Sequence, residues 1–84
     1  MRESDLSPEQ RLLLVMHNVG AIQGKAGHTI DELARLTNLD SELVRVIISG
    51  HTKSGYLESS TDNNGIKRFF LTGRGIIRVS SIFT

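Results

Sequence analysis

The sequence predicts a small α+β domain with a three-helix bundle, a two-stranded β-hairpin and a short C-terminal helix. Its 84 residues leave room for one hydrophobic core. Helix-capping signals open three successive segments whose apolar residues recur at helical spacing. After Gly55 the apolar period changes from 3.6 to 2, as in strands. We therefore expect one domain over residues 1–84, with residues 1–6 as a disordered tail.

The composition is that of an ordinary globular protein, with 38% apolar and 23% charged residues. The chain has no cysteine, which excludes a disulfide framework, a thiolate zinc site, an iron–sulfur cluster and a cysteine nucleophile. No apolar run reaches the 18 or so residues that a membrane span needs, and the N-terminus is charged rather than signal-like. We expect a cytoplasmic protein.

Positive charge is concentrated at the C-terminal end, although the net charge is only +1. Residues 1–65 hold six basic and nine acidic side chains. Residues 66–84 hold Lys67, Arg68, Arg74 and Arg78 and no acid. Because exposed charges act over about 8 to 10 Å at cellular ionic strength, this local excess can attract a polyanion. A solvated basic surface that binds nothing is the alternative.

The first helix is expected to start at Pro8. Ser7 is the predicted N-cap, and Gln10 can return the bond in a capping box. Gly20 is a plausible terminator, so the helix should end between Val19 and Gln23. Its apolar stripe comprises Leu12, Leu13, Val15, Met16 and Val19.

Two further helices are expected to form a helix-turn-helix. Thr29 and Glu32 predict a capping box that opens the second helix at Ile30, and Asn38 should end it. Asp40 caps the third helix, which should end at Ser54–Gly55. A turn of three or four residues separates the two helices. The predicted inner face of the second helix comprises Ile30, Leu33, Ala34 and Leu36.

A β-hairpin follows, with strands at 56–60 and 66–71 around a polar turn at 61–65. Alternation places Lys67, Phe69 and Leu71 on one face of the second strand and Ile66, Arg68 and Phe70 on the other. Thr72 can cap a last helix from Gly73 to about Ser80. The β-branched and aromatic residues from Ile76 onwards leave a strand as the alternative.

This order of elements resembles the winged helix-turn-helix domains of bacterial and archaeal transcription regulators of the MarR and ArsR types. The resemblance covers residues 8 to about 80. The segments that carry it are Thr29–Ala34, Leu39–Val44, Lys53–Leu57, and Phe70–Thr72 with Gly75.

The resemblance implies a double-stranded DNA-binding site. In such domains the third helix enters the major groove, and the hairpin, or wing, runs along the adjacent backbone or minor groove. Val44, Ile48 and His51 would then face the core. By position in the helix or the wing, the DNA-facing residues would be Ser41, Glu42, Arg45, Val46, Ser49, Lys53, Lys67 and Arg68.

Some features of the third helix favour another partner. Leu43, Val46 and Ile47 leave its outer face poor in polar groups, and Glu42 would repel phosphate unless it accepted a hydrogen bond from cytosine. An exposed apolar strip is also typical of a protein-binding surface. In the wing, cations at an edge strand can simply discourage strand pairing.

The sequence gives little indication of a metal, cofactor or catalytic site. His17, His28 and His51 show no metal-ligand spacing, and no nucleophile motif is present, so we expect no metal, no cofactor and no enzymatic activity. The glycines around Lys25 lack the spacing of a phosphate-binding loop, and we interpret residues 20–27 as a flexible connector.

The sequence therefore leads to two hypotheses. The first is a transcription regulator that binds duplex DNA as a homodimer. Its dimer interface would comprise the first helix with Ile76, Ile77, Ile82 and Phe83. The second is a winged helix that serves as a protein-interaction module in a replication or transcription assembly.

Overall fold

The computed structural model describes residues 5–22 and 27–82, and confirms the predicted α+β arrangement. The first three helices pack into a bundle, the two strands form an antiparallel hairpin, and a fourth helix follows the hairpin. The elements are α1 (Pro8–Asn18), α2 (Ile30–Thr37), α3 (Ser41–Lys53), β1 (Leu57–Thr61), β2 (Lys67–Leu71) and α4 (Gly73–Ile82).

The three predicted helix starts are confirmed. Ser7 with Gln10 and Thr29 with Glu32 each form a complete capping box. The Asp40 carboxylate accepts a hydrogen bond from the Glu42 backbone N–H at 3.1 Å. These side chains satisfy backbone N–H groups that have no partner within the helix.

The first helix is slightly shorter than predicted. It ends at Asn18, with Val19 as its C-cap, and Gly20 follows with a left-handed φ of 74°. Leu6, which we had assigned to a disordered tail, is only 5% exposed. Residues 1–4 of that expected tail lie outside the described residues.

Leu36 was wrongly assigned to the inner face of α2, because it is 47% exposed. Thr37 is buried instead, and its hydroxyl donates a hydrogen bond to the Leu33 carbonyl at 2.6 Å. The reason is helical geometry: the stripe that starts at Ile30 continues through positions 33, 34 and 37. Asn38 ends the helix with a left-handed φ of 58°, as predicted.

The hairpin pairs Leu57 with Leu71 and Thr61 with Lys67, so each strand starts one residue later than expected. The turn is closed by Asp62, whose backbone N–H donates to the Ile66 carbonyl at 2.9 Å. Along β2 the side chains of Phe69 and Leu71 are buried. We refer to residues 57–71 as the wing.

The segment between α1 and α2 is attached to the wing at both of its described ends, which the interpretation as a flexible connector did not anticipate. The Ala21 carbonyl accepts from the Leu71 N–H at 2.6 Å, and His28 and Phe69 exchange two backbone hydrogen bonds. These bonds use the backbone groups of β2 that do not face β1. Residues 23–26 lie outside the described part of the chain.

The C-terminal segment is a helix, which settles the alternative left open by the sequence. Gly75, Val79 and Ile82 are its buried residues, a helical spacing that lets the segment pack on the core despite its β-branched composition. A side chain at position 75 would overlap the Tyr56 carbonyl, so this close approach requires glycine.

One hydrophobic core joins all six elements. Its most deeply buried large side chains are Leu12, Leu13, Met16, Leu33, Val44, Leu57 and Leu71. Within residues 5–22 and 27–82, no helix combines the length and apolar character required to span a membrane.

Candidate nucleic-acid interface

The third helix contacts the core along one side and is exposed along the rest. Val44 and Ile48 are buried, as the resemblance implied. Ile47 is also buried, at 4% exposure, so it was wrongly counted among the apolar residues of the outer face. Its position, three residues after Val44, continues the core-facing stripe. The exposed surface of α3 is therefore less apolar than the sequence suggested.

A groove of about 740 Å³ separates α3 from the wing. We call it the wing groove. Four of the predicted DNA-binding residues line it: Arg45, Ser49, Lys53 and Lys67. The other lining residues are Thr29, Ile30, Asp31, Ile48, Thr52, Ser59, Ile66 and Phe69.

The wing groove carries an excess of positive charge. Arg45, Lys53 and Lys67 are exposed, and none of them forms an ion pair with another described residue. Asp31 is the only acid among the lining residues described. A concave surface with uncompensated cations concentrates anions near it, so this groove can attract a polyanion.

Arg68, the neighbour of Lys67, does not line this groove. Its Nε donates to an oxygen of Asp62 at 3.0 Å, and one of its terminal nitrogens lies 3.2 Å from a Glu32 carboxylate oxygen. The same nitrogen donates to the Gly27 carbonyl at 3.3 Å. The two adjacent cations of the wing thus have different surroundings.

The two carboxylates around Arg68 are held in their charged forms. The Ile66 backbone N–H, followed by the Arg68 guanidinium, lowers the pKa of Asp62. For Glu32 the main cause is the hydrogen bond from the Thr29 backbone N–H, and it lowers the pKa of that carboxyl. Both carboxylates are therefore available to Arg68 at neutral pH.

Ser41, Glu42 and Val46 also lie outside the wing groove. Ser41 and Glu42 occupy the first turn of α3. Val46 is 68% exposed and lines a second groove, of about 490 Å³, on the other side of the helix. We call it the far groove, and its lining includes Glu9, Leu43, Val46, Gly50, His51, Tyr56 and Arg78.

His51 lies on the α1 side of the far groove and is half-buried. Its Nε2 donates to the Glu9 carbonyl at 3.0 Å, and its ring centre lies 5.9 Å from that of Tyr56. Burial lowers the pKa of His51 below its ordinary value. The neutral ring thus packs against α1, as expected for the core side of the helix, with one nitrogen hydrogen-bonded.

Four polar residues of the wing groove were not singled out from the sequence: Thr29, Asp31, Thr52 and Ser59. Thr52 could have been predicted from the sequence, because it lies seven residues after Arg45 and three after Ser49 on the same helix face. Thr29, Asp31 and Ser59 come from elements that reach the groove only through tertiary packing. No local pattern indicates them.

We find no cluster of three or more metal-ligating side chains within residues 5–22 and 27–82. His17, His28 and His51 contribute to no such cluster there. The polar residues that meet in the wing groove are mainly cations and hydroxyls. Such groups suit hydrogen bonding to an anionic ligand better than coordination of a cation.

No known family model matches this sequence, and neither does any curated protein sequence. Solved structures do resemble the fold. A candidate DNA-binding protein from Ralstonia eutropha JMP134 is 19% identical, with a TM-score of 0.76, and the match covers 92% of this chain and 95% of that one.

Two further solved structures are similar to this chain. MepR, a transcription regulator of the Staphylococcus aureus efflux pump MepA, is 20% identical with a TM-score of 0.72. The match covers 95% of this chain but only 57% of MepR, so the chain spans little more than half of that regulator. The DNA-binding TubR fragment from Clostridium botulinum is 23% identical with a TM-score of 0.73, and 92% of this chain matches 96% of the fragment.

These structural likenesses agree with the element order, the capped helix-turn-helix and the hairpin described above. At 19 to 23% identity they show the fold. The chain has the winged helix-turn-helix fold, the architecture that its sequence predicted.

Proposed function

We propose that this chain is a DNA-binding transcription regulator that reads duplex DNA with α3 in the major groove and with the wing on the backbone. The observation that carries the proposal is the convergence of Arg45, Ser49, Lys53 and Lys67 on one groove. Three come from α3 and one from β2, so only the folded chain brings them together. The fold shared with the DNA-binding TubR fragment supports the same interpretation.

Each of these side chains suits a different contact. The guanidinium of Arg45 can donate two hydrogen bonds to the O6 and N7 atoms of guanine. Ser49, one turn later on α3, can donate to or accept from a base edge or a phosphate. Lys53 and Lys67 carry flexible point charges that neutralise phosphates. We assign base reading to Arg45 and backbone contacts to the lysines.

The first turn of α3 extends the proposed contact surface. Residues near the N-terminus of a recognition helix commonly approach base edges. Ser41 is a donor and an acceptor there, and Glu42 can accept a hydrogen bond from a cytosine amino group. Glu42 therefore contributes selectivity rather than affinity in this proposal, because its charge repels phosphate.

The salt dependence of binding tests the proposal. Fluorescence anisotropy of a labelled duplex is measured against the protein at several salt concentrations. We expect the logarithm of the affinity to fall linearly with the logarithm of salt concentration, at about 0.9 per neutralised phosphate. No binding at low salt would contradict the proposal.

A second candidate function is a protein-interaction module of a replication or transcription assembly. The observation in its favour is the apolar surface of α3, where Val46 is 68% and Leu43 39% exposed. Such side chains commonly belong to interfaces when they are grouped. The two functions are separated by the titration above, because this candidate predicts no DNA binding even at low salt.

We further propose that the regulator acts in the cytoplasm as a homodimer that uses α1 and α4. Ile77 on α4 is 71% exposed, and Ile76 is half-buried. Ile82, expected in this interface, is instead part of the monomer core at 7% exposure, and Phe83 lies outside the described residues. Two-fold symmetry would present two copies of α3 to a palindromic site. A strict monomer by sedimentation at tens of micromolar would overturn the dimer.

A further inference from the structure

Arg68 connects three separate parts of the chain. Its guanidinium reaches Asp62 in the wing turn, Glu32 in the first turn of α2, and the Gly27 carbonyl before α2. We call these four residues the Arg68 cluster. Arginine suits such a position, because its planar group presents several donors in fixed directions.

The partners of Arg68 are themselves held in place. The Glu32 oxygen that faces Arg68 also accepts the Thr29 N–H at 2.8 Å in the capping box of α2. The other oxygen of Asp62 accepts two backbone N–H groups of the wing turn, at 2.9 and 3.0 Å. Arg68 therefore links a fixed point on α2 to a fixed point on the wing.

Both points lie next to residues that line the wing groove. The first turn of α2 supplies Asp31 to the lining, and the wing supplies Ser59 and Lys67. A bond between the first turn of α2 and the wing turn thus restricts the position of the wing relative to α2. Gly27 restricts it further, since a side chain there would come within 2.7 Å of the Phe69 carbonyl.

The charges around Arg68 disfavour a direct phosphate contact. Two carboxylates lie within 3.2 Å of its guanidinium, so the cluster as a whole carries a net negative charge. A phosphate approaching Arg68 would have to displace these partners and meet their charge. Lys67, by contrast, has no described ion-pair partner and lines the groove.

We propose that Arg68 is a positioning residue, which holds the wing against α2 and so sets the geometry of the wing groove for DNA. This inference rests on the proposed function and refines it, because it replaces Arg68 as a phosphate contact. Its side chain is 34% exposed and its partners 44% and 25%, so the ion pairs add little to overall stability. In this proposal the ion pairs determine the position of the wing relative to α2.

The most informative variant is Glu32→Gln. Glutamine keeps the capping hydrogen bond through its amide oxygen and loses the charge that faces Arg68. Glu58→Gln is the matched control, because it removes an exposed acid from β1 that lines neither groove and has no described bond to Arg68. Removing an acid should by itself strengthen DNA binding.

The two interpretations of Arg68 predict opposite changes in DNA affinity for the variant Glu32→Gln. If Arg68 positions the wing, affinity for duplex DNA falls about 2- to 5-fold, the range set by loss of one exposed ion pair. Glu58→Gln then leaves affinity unchanged or raises it. If Arg68 contacts phosphate, Glu32→Gln frees it and affinity rises, which would overturn the proposal.

Salt dependence and a conservative substitution give a second test. Arg68→Ala should weaken binding without changing the salt slope, whereas Lys67→Ala should reduce the slope by about 0.9. Arg68→Lys should not restore affinity, because one ammonium group cannot reproduce the guanidinium contacts. A reduced slope in Arg68→Ala together with full rescue by lysine would contradict the positioning role.

A structural readout separates failure of this inference from failure of the proposed function. NMR residual dipolar couplings report the orientation of wing amides relative to α2 without DNA. We expect them to change in Glu32→Gln and Arg68→Ala and to be preserved in Glu58→Gln. If the wild-type chain binds no DNA but the couplings change as stated, the cluster stands and the proposed function fails. Unchanged couplings would overturn the inference.

Discussion

The two sides of α3 differ sharply in chemistry. Towards the wing the helix presents Arg45, Ser49 and Lys53, with Lys67 facing them from β2. Towards α1 and α4 it presents Leu43 and Val46, and the groove there contains His51 and Tyr56. One helix therefore borders a groove with an excess of cations and a second groove in which the charges of Glu9 and Arg78 balance.

This difference assigns the two hypotheses, DNA binding and protein interaction, to two different surfaces of α3. The sequence alone could not make that assignment. Read along the chain, the apolar and polar residues of α3 alternate, so the sequence assigns both to one exposed surface. In the folded chain Leu43 and Val46 line the far groove, whereas Arg45, Ser49 and Lys53 line the wing groove. The wing groove has the positive charge that the proposed DNA binding requires, and the exposed apolar side chains of α3 lie in the far groove. The predictions below test this division.

The largest effect should follow from removing the three cations of the wing groove together. In the triple variant Arg45→Ala, Lys53→Ala, Lys67→Ala, we expect duplex affinity to fall at least about 100-fold at low salt. The salt slope should fall by about 1.8, because only the two lysines are assigned to phosphates. The matched control replaces three exposed cations outside this groove, Arg35, Arg74 and Arg78, by alanine. An equal loss in that control would show that net charge alone attracts DNA.

The next largest effect should come from Arg45 alone. If it reads a base edge, Arg45→Ala costs about 1 to 3 kcal/mol on a cognate site and less on random duplex. A selection from random duplexes would supply the cognate sequence, and anisotropy would supply both affinities. Equal losses on both duplexes would reassign Arg45 to a backbone contact.

A smaller effect is expected from protonation of His51 in the far groove, and the quantity it changes is the free energy of unfolding. Burial lowers the pKa of His51 from its ordinary value of 6.5, with repulsion from Arg78 in the same direction, whereas the Glu9 carbonyl and carboxylate raise it. The unfolded chain therefore binds this proton more readily than the folded chain. Consequently the free energy of unfolding should decrease as pH falls through about 6.5.

The substitution His51→Leu should remove that part of the pH dependence. Thermal unfolding followed by circular dichroism at pH 7.5 and 5.5 gives the difference in Tm for each protein. His17→Gln is the control, because His17 is exposed on α1. An unchanged difference in His51→Leu would mean that this imidazole does not govern the acid sensitivity.

The smallest effect should come from the apolar residues of the far groove. We expect Leu43→Ser with Val46→Ser to change duplex affinity by less than about 2-fold, since neither side chain lines the wing groove. The same anisotropy titration measures it. A loss of 10-fold or more would extend the DNA footprint to Val46, as the resemblance to winged-helix regulators implied.

Features that depend on local chemistry could be predicted from the sequence. The capping boxes at Ser7 and Thr29, the stop at Asn38 and the hairpin each depend on residues a few positions apart. The resemblance to winged-helix domains indicated eight DNA-facing residues. Four of them, Arg45, Ser49, Lys53 and Lys67, meet in one groove, and the other four, Ser41, Glu42, Val46 and Arg68, do not line it.

Features that depend on tertiary packing could not be predicted in this way. The ion pairs of Arg68 join residues 36 positions apart in one case, so no local pattern indicates them. The attachment of Ala21 and His28 to β2 is equally non-local. Leu36 and Ile47 were assigned to the wrong helix faces for another reason. The face of a helical residue follows from its position in the 3.6-residue period and not from its apolar character alone.

A titration of the isotope-labelled chain with duplex DNA, followed by backbone amide NMR, tests the central claim most directly. If duplex DNA binds in the wing groove, the largest shift changes will occur at Arg45, Ser49, Lys53, Ser59 and Lys67, and those at Leu43 and Gly50 will be small. The largest changes at the far groove, or none at low salt, would contradict it.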